Sequence, residues 1–126
     1  NNIKNVIFTG KKNPEEISYL MNTSKLLLMA SSFEGLPRVL IESGLCSLPS
    51  LASDIQGIST PFGKYGGTLL YKYNDAEDFI INIDKFYKNP KFQLKLSDKS
   101  SELCNNLSGE NKFTKNWERI EEMLYE

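Results

Sequence analysis

Short apolar runs alternate with helix-length stretches of mixed polarity along the first two thirds of the chain. Asn5-Val6-Ile7-Phe8-Thr9-Gly10 reads as a buried strand closed by a glycine turn. Lys25–Ala30 reads as a second strand, Pro49–Ser53 as a third ending at Asp54, and Thr68–Tyr71 as a fourth. Between the first two, Asn13 can cap a helix, Pro14 suits its first position, and Glu15 and Glu16 complement the positive end of its dipole. That helix carries Ile17, Leu20 and Met21 and is expected to end near Ser24. A second is expected from Leu36 or Pro37 to about Cys46.

Beyond Tyr73 the pattern is wholly helical. Asn74 or Asp75 caps a helix with Phe79, Ile80, Ile83, Phe86 and Tyr87 at spacings of three and four, and Pro90 ends it. Another is expected over Lys91–Leu107, with Leu94, Leu103 and Leu107 inward. A last one covers about Thr114–Tyr125, with Trp117, Ile120, Met123 and Leu124 on one face. Continuous apolar strands separated by helices predict an α/β fold, a parallel sheet covered on both faces. Ligands of such sheets bind beyond the carboxyl ends of the strands. The loop Ser31–Gly35, after the second strand, falls there.

Composition narrows the class further. The 126 residues, 40% apolar and 25% charged, suffice for one core. A net charge of −1 argues against a polyanion-binding surface, so no nucleic-acid partner is expected. The chain has no histidine, which removes His-based catalysis and the usual Cys/His zinc patterns; no metal is expected. Cys46 and Cys104 read as free thiols in a reducing, cytoplasmic setting. The apolar run around Lys25–Ala30 is too short to span a bilayer, and no secretory signal is visible. Because the first residue is Asn1 rather than Met, residues 1–126 are expected to be a piece of a longer or processed protein.

The candidate chemistry lies in Ser32-Phe33-Glu34-Gly35-Leu36-Pro37-Arg38-Val39-Leu40-Ile41-Glu42. Gly35 lets a ligand approach the backbone with no side chain in the way. The free N–H groups of the first helical turn, with the helix dipole, form an anion site suited to a diphosphate. Glu42 lies about five residues past Pro37, roughly 7–8 Å along a helix axis, comparable to the reach from a diphosphate to the ribose of the same nucleotide. A carboxylate there can accept two hydrogen bonds from a cis-diol. Glu34 precedes the helix, on the side where the sugar of a sugar nucleotide would lie. Taken singly, a glutamate before a helix is often only a dipole contact and one inside a helix is usually a solvated charge; the pair at this spacing on a strand–turn–helix is what points to a site.

The segment resembles the Glu-x7-Glu motif of retaining glycosyltransferases of family 4 (glycosyl transferases group 1). The similarity extends in register over nearly the whole chain. It takes in Asn5–Gly10, Leu27–Pro37, Leu48–Asp54, Gly66-Gly67-Thr68-Leu69-Leu70-Tyr71 and the aromatic tail Phe113–Tyr125. It implies a Rossmann-like parallel sheet with flanking helices, the C-terminal, donor-binding half of a GT-B glycosyltransferase truncated at its N-terminal side. Residues 1–126 would form a single partial domain, with the N-terminal acceptor domain absent. Glu34 would face the donor sugar and the reacting carbon as a charge-stabilising residue. Glu42 would bind the ribose, and Gly35, Leu36 and Arg38 would lend backbone N–H groups to sugar and diphosphate. The family usually works without a metal, so no cofactor is implied beyond the nucleotide-diphosphate sugar donor.

Departures from the family pattern are local. Arg38 stands where many members carry a small or apolar residue. A cation at a helix N-terminus is unfavourable without an anion to offset it; the diphosphate, Glu34 and Glu42 are the candidates. Gly44 and Ser47 replace the alanine and glycine common in their stretch. Lys11 and Lys12 follow the first strand on the side where the family binds the base, and read otherwise as a solvated loop. The basic pair that the family places on the diphosphate, and two strands that would neighbour the first strand here in the usual order 3-2-1-4-5-6, lie outside this sequence.

The leading expectation is therefore transfer of a hexose, with retention, to a glycan or lipid-linked acceptor held by the missing N-terminal domain. The full-length protein would be cytoplasmic, with peripheral association at the inner face of the membrane allowed, and the isolated piece inactive. The alternative is a non-catalytic donor-binding or scaffolding subunit of a split transferase. A flavodoxin-like receiver needs an acidic pocket after the first strand, where Gly10 is followed by Lys11 and Lys12.

Overall fold

The computed structural model of the chain describes residues 3–64 and 66–108. Its elements are α1 (Pro14–Thr23), β1 (Leu27–Met29), α2 (Arg38–Leu45), β2 (Ser50–Asp54), a one-turn helix α3 (Gln56–Ile58), a π-helical turn (Ser59–Gly63), β3 (Thr68–Lys72), α4 (Ala76–Tyr87) and α5 (Pro90–Ser108). The last helix expected from sequence lies outside the described residues. The strands form one parallel sheet in the order β1-β2-β3. Leu27 is in register with Ser50 and Met29 with Ala52; on the other side Ser50 pairs with Thr68 and Asp54 with Lys72.

The central strand explains why the apolar pattern is continuous. Ser50, Leu51, Ala52 and Ser53 are all buried, and successive side chains of a strand point to opposite faces. Both faces of the sheet are therefore covered at β2, as expected for a parallel sheet. The two serines there are satisfied. The Ser50 and Thr68 hydroxyls share a 2.8 Å hydrogen bond, and Ser53 donates to the Ser31 carbonyl at 2.6 Å. Leu40, Ile41, Ala52, Ile58, Phe62 and Cys104 form the core cluster, drawn from α2, β2, α3, the π turn and α5.

Helix starts follow local chemistry. Asn13 and Glu16 form a reciprocal capping box on α1: the Glu16 N–H donates to Asn13 Oδ1 at 2.9 Å, and the Asn13 N–H to Glu16 Oε2 at 3.0 Å. The Asn13 N–H and the Lys12 ammonium hold the Glu16 carboxyl below its ordinary pKa. Asp75 rather than Asn74 caps α4, accepting from the Asp78 N–H. Asn74 takes the left-handed turn before it, with φ 63, a conformation that asparagine tolerates better than most residues.

Three expectations need correction. Residues 5–10 form no strand: they join no β-ladder, and Val6, Ile7 and Phe8 are 54%, 85% and 95% exposed. An extended segment becomes a strand only when a neighbour accepts its backbone hydrogen bonds, and among the described residues none lies beside it. The glycine turn survives without the strand, Gly10 having φ 65. On α4, Phe86 is buried and Phe79 packs edge-on against Tyr71 at 5.0 Å, but Ile80 and Tyr87 face outward. On α5 Leu103 packs against the core as expected, but Leu94 is exposed, and the buried positions are Leu96, Ser100 and Cys104.

The α5 result has a steric cause. This helix packs on α2 at Gly44, where a Cβ would overlap Cys104 Sγ and come within 2.9 Å of the Ser100 carbonyl oxygen. Close approach of two helix backbones selects small residues at the contact, so α5 presents Ser100 and Cys104 opposite Gly44.

Candidate functional site

The Glu34–Glu42 segment spans the carboxyl end of β1 and the start of α2, as the strand–turn–helix pattern predicts. Pro37 is the N-cap of α2 and supplies no side-chain cap. The N–H groups of Arg38 and Val39, in the first turn, therefore have no intrahelical acceptor, whereas the Leu40 N–H closes back on the Pro37 carbonyl at 3.0 Å. Buried Pro37 and Leu40 anchor this start, and Gly35 and Arg38 are exposed.

Arg38 and Glu42 lie one helical turn apart on the solvent side of α2, opposite the face that buries Leu40, Ile41, Ser43 and Gly44. Among the described residues neither side chain makes an ion pair or hydrogen bond; in particular, Arg38 is not offset by Glu34 or Glu42. The start of α2 thus carries a cation, free backbone donors and, about 6 Å along the axis, a free carboxylate.

Glu34 is held differently. It is half-buried, and the Ser31 hydroxyl donates to its Oε1 at 2.7 Å. The Ser31 carbonyl in turn accepts from Ser53, at the carboxyl end of β2. Behind the loop, α3 lies so close that a Cβ on Gly57 would overlap the Glu34 carbonyl and come within 2.7 Å of the Gly35 carbonyl oxygen. Ser31, Ser53 and Gly57 were not distinguished by sequence reasoning. The two serines carry no motif of their own, and only Gly57, three residues past the end of a strand, offered a signal.

The structure thus places Glu34, Gly35, Leu36, Arg38 and Glu42 on one continuous loop-to-helix edge. Lys11 is exposed, Lys12 pairs with Glu16 at 3.0 Å, and no hydrogen bond or ion pair links either to the Glu34–Glu42 segment. A surface recess of about 360 Å³ is lined by Lys12 and by Glu15, Glu16, Tyr19 and Leu20 of α1, and shares no lining residue with the Glu34–Glu42 segment. Among the described residues there is no group of three or more acidic or thiol ligands able to hold a metal ion, and no helix long and apolar enough to cross a membrane.

A parallel sheet flanked by helices, with a strand-to-helix turn at the carboxyl end of β1, makes this a Rossmann-like α/β domain. Residues 1–103 match the family described as glycosyl transferases group 1, and the chain belongs to that family. It is 28% identical over 106 residues to an uncharacterized glycosyltransferase of Haemophilus influenzae, covering 83% of this chain and 30% of that protein. An uncharacterized glycosyltransferase of Methanocaldococcus jannaschii is 26% identical over 111 residues, covering 87% of this chain and 31% of its own length. Among solved structures, a sucrose-phosphate synthase from Thermosynechococcus elongatus shares the fold with a TM-score of 0.78 at 20% identity, over 95% of this chain and 30% of that one. The chain therefore spans about a third of the length of the relatives it matches.

Proposed function

We propose that this chain is the donor-binding half of a retaining glycosyltransferase. In this reading it takes a nucleotide-diphosphate sugar and, within a longer protein, passes a hexose to a glycan or lipid-linked acceptor. The observation that carries the reading is the edge from Glu34 to Glu42. An anchored carboxylate, unpaired helix N–H groups with an exposed arginine, and a free carboxylate one turn on follow one another in the order sugar, diphosphate, ribose.

The chemistry follows from that order. The departing diphosphate gains negative charge as the bond to the sugar breaks. Donors already aimed at it by the backbone stabilise that charge without reorganisation. Arg38, which has no ion-pair partner among the described residues, offsets the same charge. Glu34 stabilises the electron-poor sugar carbon and accepts from sugar hydroxyls; Glu42 accepts from the ribose diol. The acceptor site and the strands that would pair with residues 5–10 and with the outer edge of β1 belong, in this reading, to the rest of the longer protein. The chain by itself carries one wall of a cleft and is inactive, and turnover by the isolated chain overturns that statement.

Calorimetry of the full-length protein with UDP, GDP and ADP and their hexose conjugates tests the assignment. Glu42→Ala should weaken nucleoside-diphosphate binding by about 1.5–3 kcal/mol, the value of a hydrogen bond to a charged group. Unchanged affinity removes the ribose role.

A further inference from the structure

We propose that Ser31 is a positioning residue that sets the Glu34 carboxylate for the donor sugar, with Ser53 anchoring Ser31 to the sheet. The inference rests on the donor-site reading above and adds residues that the Glu-x7-Glu spacing does not include.

Two hydrogen bonds in series, backed by one close packing contact, carry it. Ser53 is fully buried in the central strand, so its position is that of the sheet itself. Its hydroxyl donates to the Ser31 carbonyl at 2.6 Å, which fixes the first residues of a loop otherwise exposed at Ser32 and Phe33. The Ser31 hydroxyl then donates to Glu34 Oε1 at 2.7 Å. The contact of α3 at Gly57 keeps the Glu34 and Gly35 carbonyls from shifting backward.

The consequence is an asymmetric carboxylate. Oε1 is occupied by a neutral donor, while Oε2 has no hydrogen-bond partner among the described residues. A carboxylate accepts at both oxygens, so this side chain meets its ligand with one oxygen anchored and the other open. The arrangement freezes the side-chain rotamers of Glu34 before ligand arrives, which removes an ordering cost from binding. The ligand class it suits is a sugar with a hydroxyl aimed at Oε2. A neutral donor on Oε1 leaves the full negative charge in place, unlike a lysine or arginine partner.

The test uses the full-length protein and compares each nucleotide sugar with its own nucleoside diphosphate. Ser31→Ala should lower affinity and kcat/KM for the sugar nucleotide roughly tenfold while leaving the nucleoside diphosphate unchanged. Ser31→Thr, which keeps the hydroxyl, should restore most of the loss. Added to Glu34→Ala, Ser31→Ala should have no further effect. Thermal unfolding verifies that each variant is folded. A Ser31→Ala protein indistinguishable from wild type, beside a Glu34→Ala protein that loses sugar discrimination, overturns the positioning role and leaves the donor site standing. If Glu34→Ala changes nothing, or no member of the panel binds, the donor-site reading fails and the proposal with it.

Discussion

The two glutamates of the motif reach the same edge by different physics. Glu34 sits in a loop with no regular structure of its own, and its place is imposed by three other parts of the chain: Ser31, Ser53 on β2 and Gly57 on α3. Glu42 is placed by a helix, and its side chain makes no hydrogen bond or ion pair among the described residues. Its position is only as good as the docking of α2, which is decided on the opposite face by Gly44 against Cys104, and after the helix by the Ser97 hydroxyl donating to the Ser47 carbonyl at 2.6 Å. One carboxylate is thus buttressed directly and the other through the seating of an entire element. Perturbations should separate the two ends.

The largest effect is expected at the Glu34 end. Gly57→Ala forces a methyl group into the Glu34 carbonyl, which is backbone and cannot rotate away. Stability should fall by about 1–3 kcal/mol in denaturant titrations. Turnover of the full-length protein should fall on the order of a hundredfold, since small misplacements of a reacting group cost that much. Turnover equal to wild type would show that α3 does not hold the loop. At the Glu42 end, Gly44→Ala should cost less. An overpacking penalty of about 1–3 kcal/mol is partly offset by roughly 1 kcal/mol of improved helix propensity. Combining it with Cys104→Ala removes the overlapping sulfur but not the Ser100 carbonyl, so recovery should be partial; simple additivity of the two substitutions breaks the picture of a shared contact.

Smaller effects sharpen the account of how α2 is seated. Burial pushes the Cys104 thiol from an ordinary 9.0 up to about 11. Between those values the unfolded chain has released the proton and the folded chain has not. Folding stability should therefore decline as pH rises through that window, with the full contribution present below pH 9. The difference in pH dependence between wild type and Cys104→Ala isolates the term from lysine and tyrosine titration; equal slopes for the two proteins refute it. Smallest of all, Ser47 follows α2 with φ 54, where a side chain is strained. Relief of about 1–2 kcal/mol, less the extra chain entropy of glycine of about 0.5–1 kcal/mol, predicts that Ser47→Gly raises stability by roughly 0.5–1 kcal/mol in thermal melts. Loss of stability would mean that the residue earns its place through contacts rather than tolerance of the turn.

Much of the fold was legible because its signals are local. The Asn13 cap, Pro14, the Asp75 cap and the three apolar runs that became β1, β2 and β3 each depend on residues within a few positions of one another. The first apolar run, Val6-Ile7-Phe8, carries the same local signal and forms no strand, because pairing is a property of two segments and the described structure supplies one. On α5 Leu103 faces the core as its spacing predicts, but Leu94 does not, for a related reason. The contact with α2 has a geometry dictated by Gly44 on that helix, so its closest positions are Ser100 and Cys104, small residues that an apolar pattern does not single out.

The sequence by itself determined the class of sheet, the place of the candidate site at a strand's carboxyl end, and the order of chemical groups from Glu34 to Glu42. Strand–turn–helix chemistry and helical rise are encoded by neighbours along the chain. Only the tertiary structure decided that Arg38 stands free of both glutamates, that Glu34 has one oxygen anchored and one open, and that Gly57 and Gly44 set the two ends of the motif. Each of those facts is a contact, or a missing contact, between residues that the chain brings together only by folding, and no spacing in the sequence records how close two such residues come.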